Sequence, residues 1–518
     1  MSLYRNFLSV GGLTLVSRVF GFVRDALMAA VLGISPVSDA FNAAFRFPNL
    51  FRRLFAEGAF NTAFVPMFSG ALETEGPDGA RELASRIMSW LVAAILVVTI
   101  VVEVFTPQIM VVFVPGFVSE PAKFDLTVFL TRIMFPYLAC MSLMAAYAAI
   151  LNSLGRFFAA AFAPIVLNIV NISALVPLAI LTLEAPDTAF WVAIATMLGG
   201  IAQLMLVYWA IRRAGFVPRI RLPHLDPEVR RFWILAVPAI IAGGITQINI
   251  FVGTIIASGA DEVMSIIYNA DRLYQLPLGI IGIAIGTVLL PELSRHLSAG
   301  RDGEARQSQS QSLFLSMYLS MPAAGALIAL ALPVVRVLFE RGAFHAADSA
   351  NVAQALVAFA VGLPAFVLIR VLQPGFFSRK DTSTPTWFAA VSLVINIALS
   401  LALFGSLKHV GIALATSISA WVNVLLLAVF LARRGHFAMT STEWRQQGLI
   451  ALLTLVMAAA LWGGVALLGP VFDPGYFFPA QALALFALCI VGAGLYFALA
   501  HFTGVQPLGG LLRRLRRS

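Results

Sequence analysis

Long hydrophobic runs, separated by short polar connections, fill almost the whole chain. A run of roughly 20 apolar residues can cross a bilayer as a helix, because each residue adds about 1.5 Å along the axis. The pattern therefore predicts an all-α polytopic membrane protein with about 14 transmembrane helices. The predicted spans lie near residues 8–32, 37–69, 84–113, 124–153, 157–182, 187–214, 229–258, 262–294, 306–338, 347–377, 384–404, 409–433, 446–469 and 477–503.

Parts of the second half of the chain resemble parts of the first half. Ile150–Ile172 aligns with Gly375–Ile397, and Gly11–Thr14 aligns with Gly243–Thr246 at nearly the same offset. An even number of spans in each copy keeps the copies parallel in the membrane, so the repeat predicts two pseudo-symmetric six-helix lobes. We predict an N-terminal lobe at 1–215, a C-terminal lobe at 216–435, and two further helices with a basic cytoplasmic tail at 436–518.

Composition and charge exclude a soluble protein and set the topology. Hydrophobic residues make up 60% of the chain and charged residues 11%, with a mean hydropathy of +0.91. The net charge of +9 does not predict a nucleic-acid partner, because the basic residues concentrate in alternate short connections between spans. By the positive-inside rule those connections and both termini are predicted to be cytoplasmic. The first apolar run lacks a cleavage motif and is predicted to remain as a span.

Arginines inside the predicted spans are the main candidates for function. Arg18 and Arg24 interrupt the first run, Arg52 and Arg53 lie in the second, and Arg272 lies in a much later one. A guanidinium at the centre of a bilayer costs a few kcal/mol or more, so such residues face a protein interior or a wet cavity. Their planar forks of donors suit phosphate oxygens, and a diphosphate engages several forks at once. The arginines therefore predict a cationic chamber for an anionic cargo.

Nearby carboxylates leave a second interpretation open, in which buried ion pairs fix the register of the helices. Asp25 follows Arg24 and can pair with a cation elsewhere, and Asp271 precedes Arg272. Glu57 follows Arg53 by four residues, the spacing of an intrahelical pair that either fixes register or closes the cytoplasmic mouth. Asp39 follows Ser35-Pro36, which reads as a helix start, so it either complements the helix dipole or has a functional role.

Motifs of catalysis and cofactor binding do not occur in the sequence. There is no GxxxxGK[ST] loop, no HExxH and no grouping of Ser, His and Asp, so ATP is not expected as the direct energy source. Cys140 and Cys489 lie alone in apolar runs and predict neither a disulfide nor a metal site. We predict no catalytic residue, metal or cofactor. The segment 378–385 has the composition of a helix stop followed by a capped restart.

With these residues considered, the chain resembles the MurJ (MviN) family of lipid II flippases, within the multidrug, oligosaccharidyl-lipid and polysaccharide exporter superfamily. The resemblance extends over nearly the whole chain, and the FPNLFRRLFAEGAF run is its most specific part. It is carried by Ser17–Asp25, Ser38–Phe41, Phe47–Phe60, Ala270–Arg272 and Pro374–Arg379.

The resemblance implies a transporter, not an enzyme, in the bacterial cytoplasmic (inner) membrane. Its substrate would be lipid II, the undecaprenyl-diphosphate-linked disaccharide pentapeptide, carried to the periplasmic leaflet for peptidoglycan synthesis. The implied partners are membrane lipids and the cell-wall synthesis machinery. The family's apolar groove for the lipid tail fits the last two spans. The chain has no acid in spans 229–258 and 384–404, so a sodium requirement is not predicted.

The resemblance also implies roles for particular residues. Arg18, Arg24 and Arg272 match arginines that line the cavity and hold the diphosphate, and Arg52 matches one near its cytoplasmic side. The residues implied to be essential or to gate the cavity are Ser17, Asp25, Asp39, Arg53, Glu57 and Asp271.

The mechanism predicted from these expectations is alternating access, in which two lobes rock about a site near the midplane. One alternative is a cation-coupled drug or polysaccharide-lipid exporter of the same superfamily; a drug exporter would need acids to dominate the chamber. Another is a scaffold for cell-wall enzymes, which leaves arginines at the midplane without a purpose.

Overall fold

The computed structural model describes residues 3–53, 60–181 and 183–505, and this described part is helical and contains no strand. The predicted all-α class is confirmed. Nine segments of the described chain are long and apolar enough to span a membrane, so the protein is a multi-pass membrane protein; the number 14 stays a prediction. The helices are α1 Leu3–Leu32, α2 Pro36–Arg52, α3 Phe60–Thr74, α4 Gly76–Phe113, α5 Pro121–Met134, α6 Tyr137–Ser153, α7 Phe158–Ile180, α8 Ala185–Arg213, α9 Pro227–Ala257, α10 Val263–Ser298, α11 Asp302–Ala329, α12 Ala331–Phe339, α13 Ala346–Phe377, α14 Ser383–Arg433, α15 Ser441–Leu467 and α16 Phe478–Phe502.

Two of the predicted spans are each divided into two helices. Span 124–153 is divided into α5 and α6 at Pro136, which has no backbone N–H to continue the helical hydrogen bonds. Span 306–338 is divided into α11 and α12 at Leu330. Within α14 the chain reverses at Lys408, where the backbone takes a φ of +44°, and Ser392 Oγ donates to the carbonyl of Ser419 at 2.7 Å. Spans 384–404 and 409–433 are therefore two separate helices, as predicted. The hydrophobic pattern located this break but not those at Pro136 and Leu330.

Contacts between residues divide the chain into two compact units. The first contains Met1–Ser265 and Arg341–Phe344, and the second contains Ile266–Glu340 and His345–Ser518. Within the first unit, α9 packs on α3 and α4, where Phe60 of α3 meets Phe232 of α9 edge to face. The predicted lobes at 1–215 and 216–435 and the part at 436–518 stay a prediction. They differ from the units because α9 packs with the helices that precede it.

The longest hydrophilic connection, residues 214–226 between α8 and α9, lies along α4, and we call it the strap. The backbone N–H of Arg219 donates to Ser85 Oγ at 2.9 Å, and that of Arg221 donates to Ser89 Oγ at 3.0 Å. Trp90 Nε1 donates to the carbonyl of His224 at 3.0 Å. The strap therefore holds the start of α9 against α4.

The second unit includes the two helices predicted to follow the duplicated core. Helix α15 packs on α11, and α16 packs on α12 and α15. The Tyr496 hydroxyl on α16 is buried and donates to the carbonyl of Tyr318 on α11 at 3.0 Å. A buried hydrogen bond of this kind fixes the position of α16 along α11, because an unpaired hydroxyl in an apolar setting is costly.

The predicted helix stop and capped restart at 378–385 is confirmed. Helix α13 ends at Phe377 and α14 begins at Ser383. Asp381 Oδ1 accepts a hydrogen bond from the backbone N–H of Thr384, and Oδ2 lies 2.6 Å from Arg434 Nη1. Because these bonds favour the charged carboxylate, the Thr384 backbone bond most of all, they lower the pKa of Asp381 to about 2.

Candidate functional site

Two of the predicted site residues on α1 form an ion pair with each other. Arg24 Nη2 lies 2.7 Å from Asp25 Oδ1, and the exposed fractions of the two side chains are 11% and 6%. Neighbouring residues on a helix project about 100° apart, so the Arg24 side chain must turn toward Asp25 to reach it. The sequence suggested a cation elsewhere as the partner of Asp25; this contact shows that Arg24 is itself a partner.

Ser17 and Arg18 lie on the same helix, nearly two turns before Arg24. The carbonyl of Ser17 accepts a hydrogen bond from Asn168 Nδ2 of α7 at 3.2 Å, and this bond joins two helices of the first unit. Arg18 is half-buried. Within residues 3–53, 60–181 and 183–505 its guanidinium has no hydrogen-bond acceptor and no carboxylate partner. Its donors are therefore available to an anion.

Along α2, three arginines differ in their surroundings. Arg46 Nη1 donates to Thr254 Oγ1 of α9 at 3.2 Å, and Arg52 Nε donates to Asn49 Oδ1 at 3.0 Å. Arg53 is exposed and ends the helix. Residues 54–59 lie outside the described residues, so the continuous helix expected over 37–69 stays a prediction. Glu57 lies outside the described residues, so its pair with Arg53 stays a prediction.

Asp39 is fully buried, and it binds the start of another helix. Its Oδ2 accepts from the backbone N–H of Glu262 at 2.7 Å, and its Oδ1 accepts from the backbone N–H and the hydroxyl of Ser265 at 2.9 and 2.6 Å. The cap of its own helix is Ser35, as predicted, whose Oγ accepts from the Ser38 N–H. Asp39 thus acts as an N-terminal cap for α10, where a negative charge also complements the helix dipole.

Lys123 of α5 balances the charge of Asp39. Its Nζ lies 3.3 Å from Asp39 Oδ2 and 2.7 Å from Asp261 Oδ1, and it sits over the Phe117 ring at 4.2 Å. We call Asp39, Lys123, Glu262 and Ser265 the Asp39 clasp. Glu262 is held with a left-handed φ of +66°, a conformation that an L-residue adopts only when its surroundings enforce it.

An acidic pair lies at the outer edge of the Asp39 clasp. Glu120 lies 3.7 Å from Lys123 Nζ. The pKa of Glu120 is raised, mainly by its hydrogen bond with Asp261 and also by burial. Lys123 therefore holds together carboxylates that would otherwise repel one another.

A second contact on the same unit joins the end of α1 to residues 341–344. The backbone N–H of Ala343 donates to the carbonyl of Ala30 at 2.8 Å. Gly33 has a φ of +60°, and a Cβ built there would collide with the carbonyl of Ala343; a Cβ on Gly342 would collide with the carbonyl of Ala30. Only glycine permits the two backbones to approach so closely.

The remaining predicted residues, Asp271 and Arg272, lie on α10 within the second unit. Arg272 Nη2 donates to the Tyr268 hydroxyl at 2.8 Å, and the guanidinium lies 4.8 Å from the centre of that ring. Asp271 accepts a hydrogen bond from Gln275 one turn further along. Each charged group thus has a polar neighbour on its own helix. No group of three or more His, Cys, Asp or Glu residues in the described chain could hold a metal ion.

The comparisons with known proteins agree with one another. The family model described as lipid II flippase MurJ matches residues 28–486. The chain belongs to the lipid II flippase MurJ family. A protein from Rhizobium tropici, described as a probable lipid II flippase MurJ, is 45% identical, with all of this chain and 97% of that protein covered. The lipid II flippase MurJ of Burkholderia cenocepacia is 34% identical, with 98% of each chain covered.

Solved structures extend this result to the fold. A lipid II flippase MurJ in an inward closed conformation has a TM-score of 0.77 and 25% identity, over 95% of this chain and 98% of that one. An inward-facing multidrug resistance transporter of the MATE family has a TM-score of 0.67 and 14% identity, which shows a shared fold alone. The MurJ-family chain therefore shares its fold with both of these structures.

For this MurJ-family chain we expect Gly33→Ala to be markedly more harmful than Gly155→Ala. Both glycines have a left-handed φ, of +60° and +73°, so both substitutions carry the same backbone cost. Only at Gly33 does the new methyl group meet a neighbouring carbonyl, since the space around Gly155 is open. Overpacking of this kind costs about 1–3 kcal/mol. Thermal unfolding of the purified variants measures the difference, and equal unfolding temperatures would contradict it.

Sequence reasoning missed Lys123 and the residues 341–344 of the MurJ-family chain. One signal for Lys123 was available, because it is a lysine near a connection on the otherwise acidic side of the membrane. No local pattern marks residues 341–344, since their contact with α1 depends on two backbones that are far apart in sequence.

Proposed function

We propose that this protein flips lipid II from the cytoplasmic to the periplasmic leaflet of the bacterial inner membrane. Membership of a family whose relatives are described as lipid II flippases supports the substrate. The observation that carries the chemistry is Arg18, a half-buried arginine in an apolar helix with no protein acceptor in the described part of the chain. An uncompensated guanidinium at that depth requires an anion or water.

The diphosphate of lipid II suits the arginines as a group. Each phosphate presents several oxygens, and a planar guanidinium can donate to two of them at once. Arg18 and Arg24 are six residues apart on α1, about 9 Å along the axis, so one extended headgroup can reach both in turn. In the proposal Arg52 and Arg272 complete the set, and Asp25 holds Arg24 in position until the substrate arrives.

Alternating access is the finer part of the proposal. The Asp39 clasp and the contact at Gly33 are the two proposed closures. These contacts have to separate if cargo leaves on the side predicted to be periplasmic. Both contacts depend on hydrogen bonds to backbone groups. When the contacts separate, water can form hydrogen bonds with the same groups. A membrane potential of about 100 mV, inside negative, favours outward movement of the headgroup by about 2.3 kcal/mol per negative charge. The potential is therefore a sufficient source of energy.

Drug export is the less favoured function, because Asp25 and Asp39 of the first unit are already engaged. A cationic drug would need a free acid within the membrane. Asp25 is paired with Arg24, and Asp39 has both oxygens bonded and lies beside Lys123. A cationic drug would have to displace Arg24 to bind Asp25, or Lys123 to bind Asp39.

Binding to purified full-length protein in nanodiscs tests the proposal. We expect lipid II and a shorter polyprenyl diphosphate to compete for one site, and an uncharged polyprenol of the same length to bind at least about 100-fold more weakly. That ratio corresponds to the loss of two or three charge-assisted hydrogen bonds. Equal binding of the polyprenol would show that the protein recognises only the lipid tail, and it would overturn the diphosphate assignment.

A further inference from the structure

An apolar pocket lies in the first unit, away from the arginines of α1. It is an open pocket between α4 and α9, about 520 Å³ including the space open to its surroundings, and Phe60 of α3 and Leu138 of α6 also line it. From Trp233 to Ile240 its α9 wall extends about 10 Å along the helix. The pocket is lined by Phe60, Leu91, Ala94, Ile95, Val98, Leu138, Phe232, Trp233, Ala236 and Ile240. No polar side chain is among these residues, so the pocket suits a hydrocarbon chain.

Aromatic residues place the pocket at one surface of the membrane. The rings of Trp90 and Trp233 meet edge to face at its end, next to the strap. Tryptophan favours the boundary between hydrocarbon and headgroups. On the strap, Leu222 and Leu225 are 93% and 63% exposed. Exposed leucines among arginines are typical of a segment that lies on a membrane surface.

Positive charge surrounds this end of the pocket, and the protein neutralises it only in part, since Arg221 lies 3.4 Å from Glu82. Residues 208–233 contain six arginines and only two carboxylates, Asp226 and Glu228. Both carboxylates bind Arg86 of α4, each at 3.1 Å. Arg230 and Arg231 are exposed on the first turn of α9 and have no ion-pair partner in the described chain. Arg230 precedes Trp233 by three residues, so the two side chains are neighbours on the helix surface.

We propose that this corner binds an anionic glycerophospholipid of the leaflet on the basic side of the membrane. Its phosphate binds Arg230 and Arg231, and one acyl chain passes Trp233 into the pocket. The charge selects the headgroup, because juxtamembrane arginines attract anionic lipids. The apolar lining selects a chain and not a free phosphate ion. A bound lipid would brace the start of α9 against α4, where the strap already holds it.

Quenching of Trp233 by bromine tests the site in full-length protein reconstituted in nanodiscs. The nanodiscs contain mainly phosphatidylcholine with a minor fraction of phosphatidylglycerol, and bromine is attached to the acyl chains of one lipid at a time. The Trp233 signal is the difference between wild type and Trp233→Phe. We expect brominated phosphatidylglycerol to quench Trp233 at a much lower fraction of total lipid than brominated phosphatidylcholine does.

Two pairs of variants separate the headgroup from the chain. Replacing Arg230 and Arg231 together by Gln should weaken the preference for phosphatidylglycerol about 30-fold. The same change at Arg212 and Arg213, which removes equal charge at the end of α8, should leave it unchanged. Ala236→Phe fills the pocket and should abolish quenching by either lipid, whereas Val237→Phe on the outward face should not. If Ala236→Phe fails to fold, Ile240→Phe serves the same purpose.

Three results would overturn the proposal. Equal quenching by both lipids would show that the pocket accepts an acyl chain whatever the headgroup of the lipid. Unchanged quenching in Ala236→Phe and Ile240→Phe would show that the chain lies elsewhere. Displacement of brominated phosphatidylglycerol by a polyprenyl diphosphate, but not by excess phosphatidylglycerol, would assign the pocket to the transported cargo. None of these results depends on transport, so failure of the lipid-site proposal would leave the proposed function untouched, and that function is tested by its own experiment.

Discussion

Arg18→Ala is expected to abolish lipid II translocation while leaving the protein folded and inserted. Arg18 has no acceptor in the described chain, so its removal leaves no buried carboxylate without a partner. It does remove donors for the diphosphate, and the loss of two charge-assisted hydrogen bonds lowers substrate affinity by a factor of about 100 or more. Transfer of fluorescently labelled lipid II in proteoliposomes, with a membrane potential imposed, measures the effect.

Three further variants make this prediction specific. Arg18→Lys keeps the charge but not the planar fork, and should retain part of the activity. Arg272→Ala should fail like Arg18→Ala if α10 also contributes to the site. Arg212→Ala removes an exposed arginine at a helix end and should be fully active. Arg24→Ala is a poorer test, because it also leaves the buried Asp25 without this cation. Normal translocation by both Arg18→Ala and Arg272→Ala would rule out the cationic site.

Asp39→Ala is expected to destabilise the protein by about 3–5 kcal/mol, since it breaks the buried ion pair with Lys123, which keeps only Asp261 and Glu120 as partners. It also removes the acceptor of the Glu262 and Ser265 backbone N–H groups, so the start of α10 is no longer held. Thermal unfolding of purified protein, followed by tryptophan fluorescence, should show a clear decrease in the unfolding temperature. Translocation should decrease as well, because one of the two proposed closures is lost.

Asp348 provides a matched control for Asp39. It accepts a hydrogen bond from the backbone N–H of His345 at 2.8 Å at the start of α13, and no ion pair with a cation is found for it in the described chain. Asp348→Ala should therefore cost only about 1 kcal/mol, as for loss of a helix cap. The double variant Asp39→Ala with Lys123→Met should lose less stability than the sum of the two single variants, because both remove the same ion pair. If Asp39→Ala lowered the free energy of unfolding by no more than Asp348→Ala, Asp39 would act only as a helix cap.

The predicted fold depended on hydrophobic length, which is a local property, and it was correct in class. Prolines and kinks were harder to place, since proline is tolerated inside α2, α3 and α7 but ends a helix at Pro136. Whether a proline ends a helix depends on which neighbouring groups satisfy the freed carbonyl, and those groups come from other helices. The same limit applied to the strap, which composition marked only as a hydrophilic link.

For the candidate site, the sequence identified the charges but not their partners. Arg18 and Asp39 were recognisable because a charge in an apolar run is costly in any arrangement. The partner of Asp39 was not, because Ser265 lies 226 residues further along the chain. Spacing rules reach only one or two helical turns, so they placed Asp39 in the first turn of α2, as observed, but could not show that it also caps α10.

By itself, the sequence determined that this protein crosses the membrane many times, that it carries arginines at depths where protein or cargo must compensate them, and that it belongs among the lipid II flippases. Those properties follow from the transfer energies of individual side chains and from local motifs. Only the tertiary structure decided that Arg24 binds Asp25, that Asp39 caps α10 beside Lys123, and that a strap fixes the start of α9. Hydrogen bonds and ion pairs act over a few ångströms, and packing alone determines which distant residues come that close.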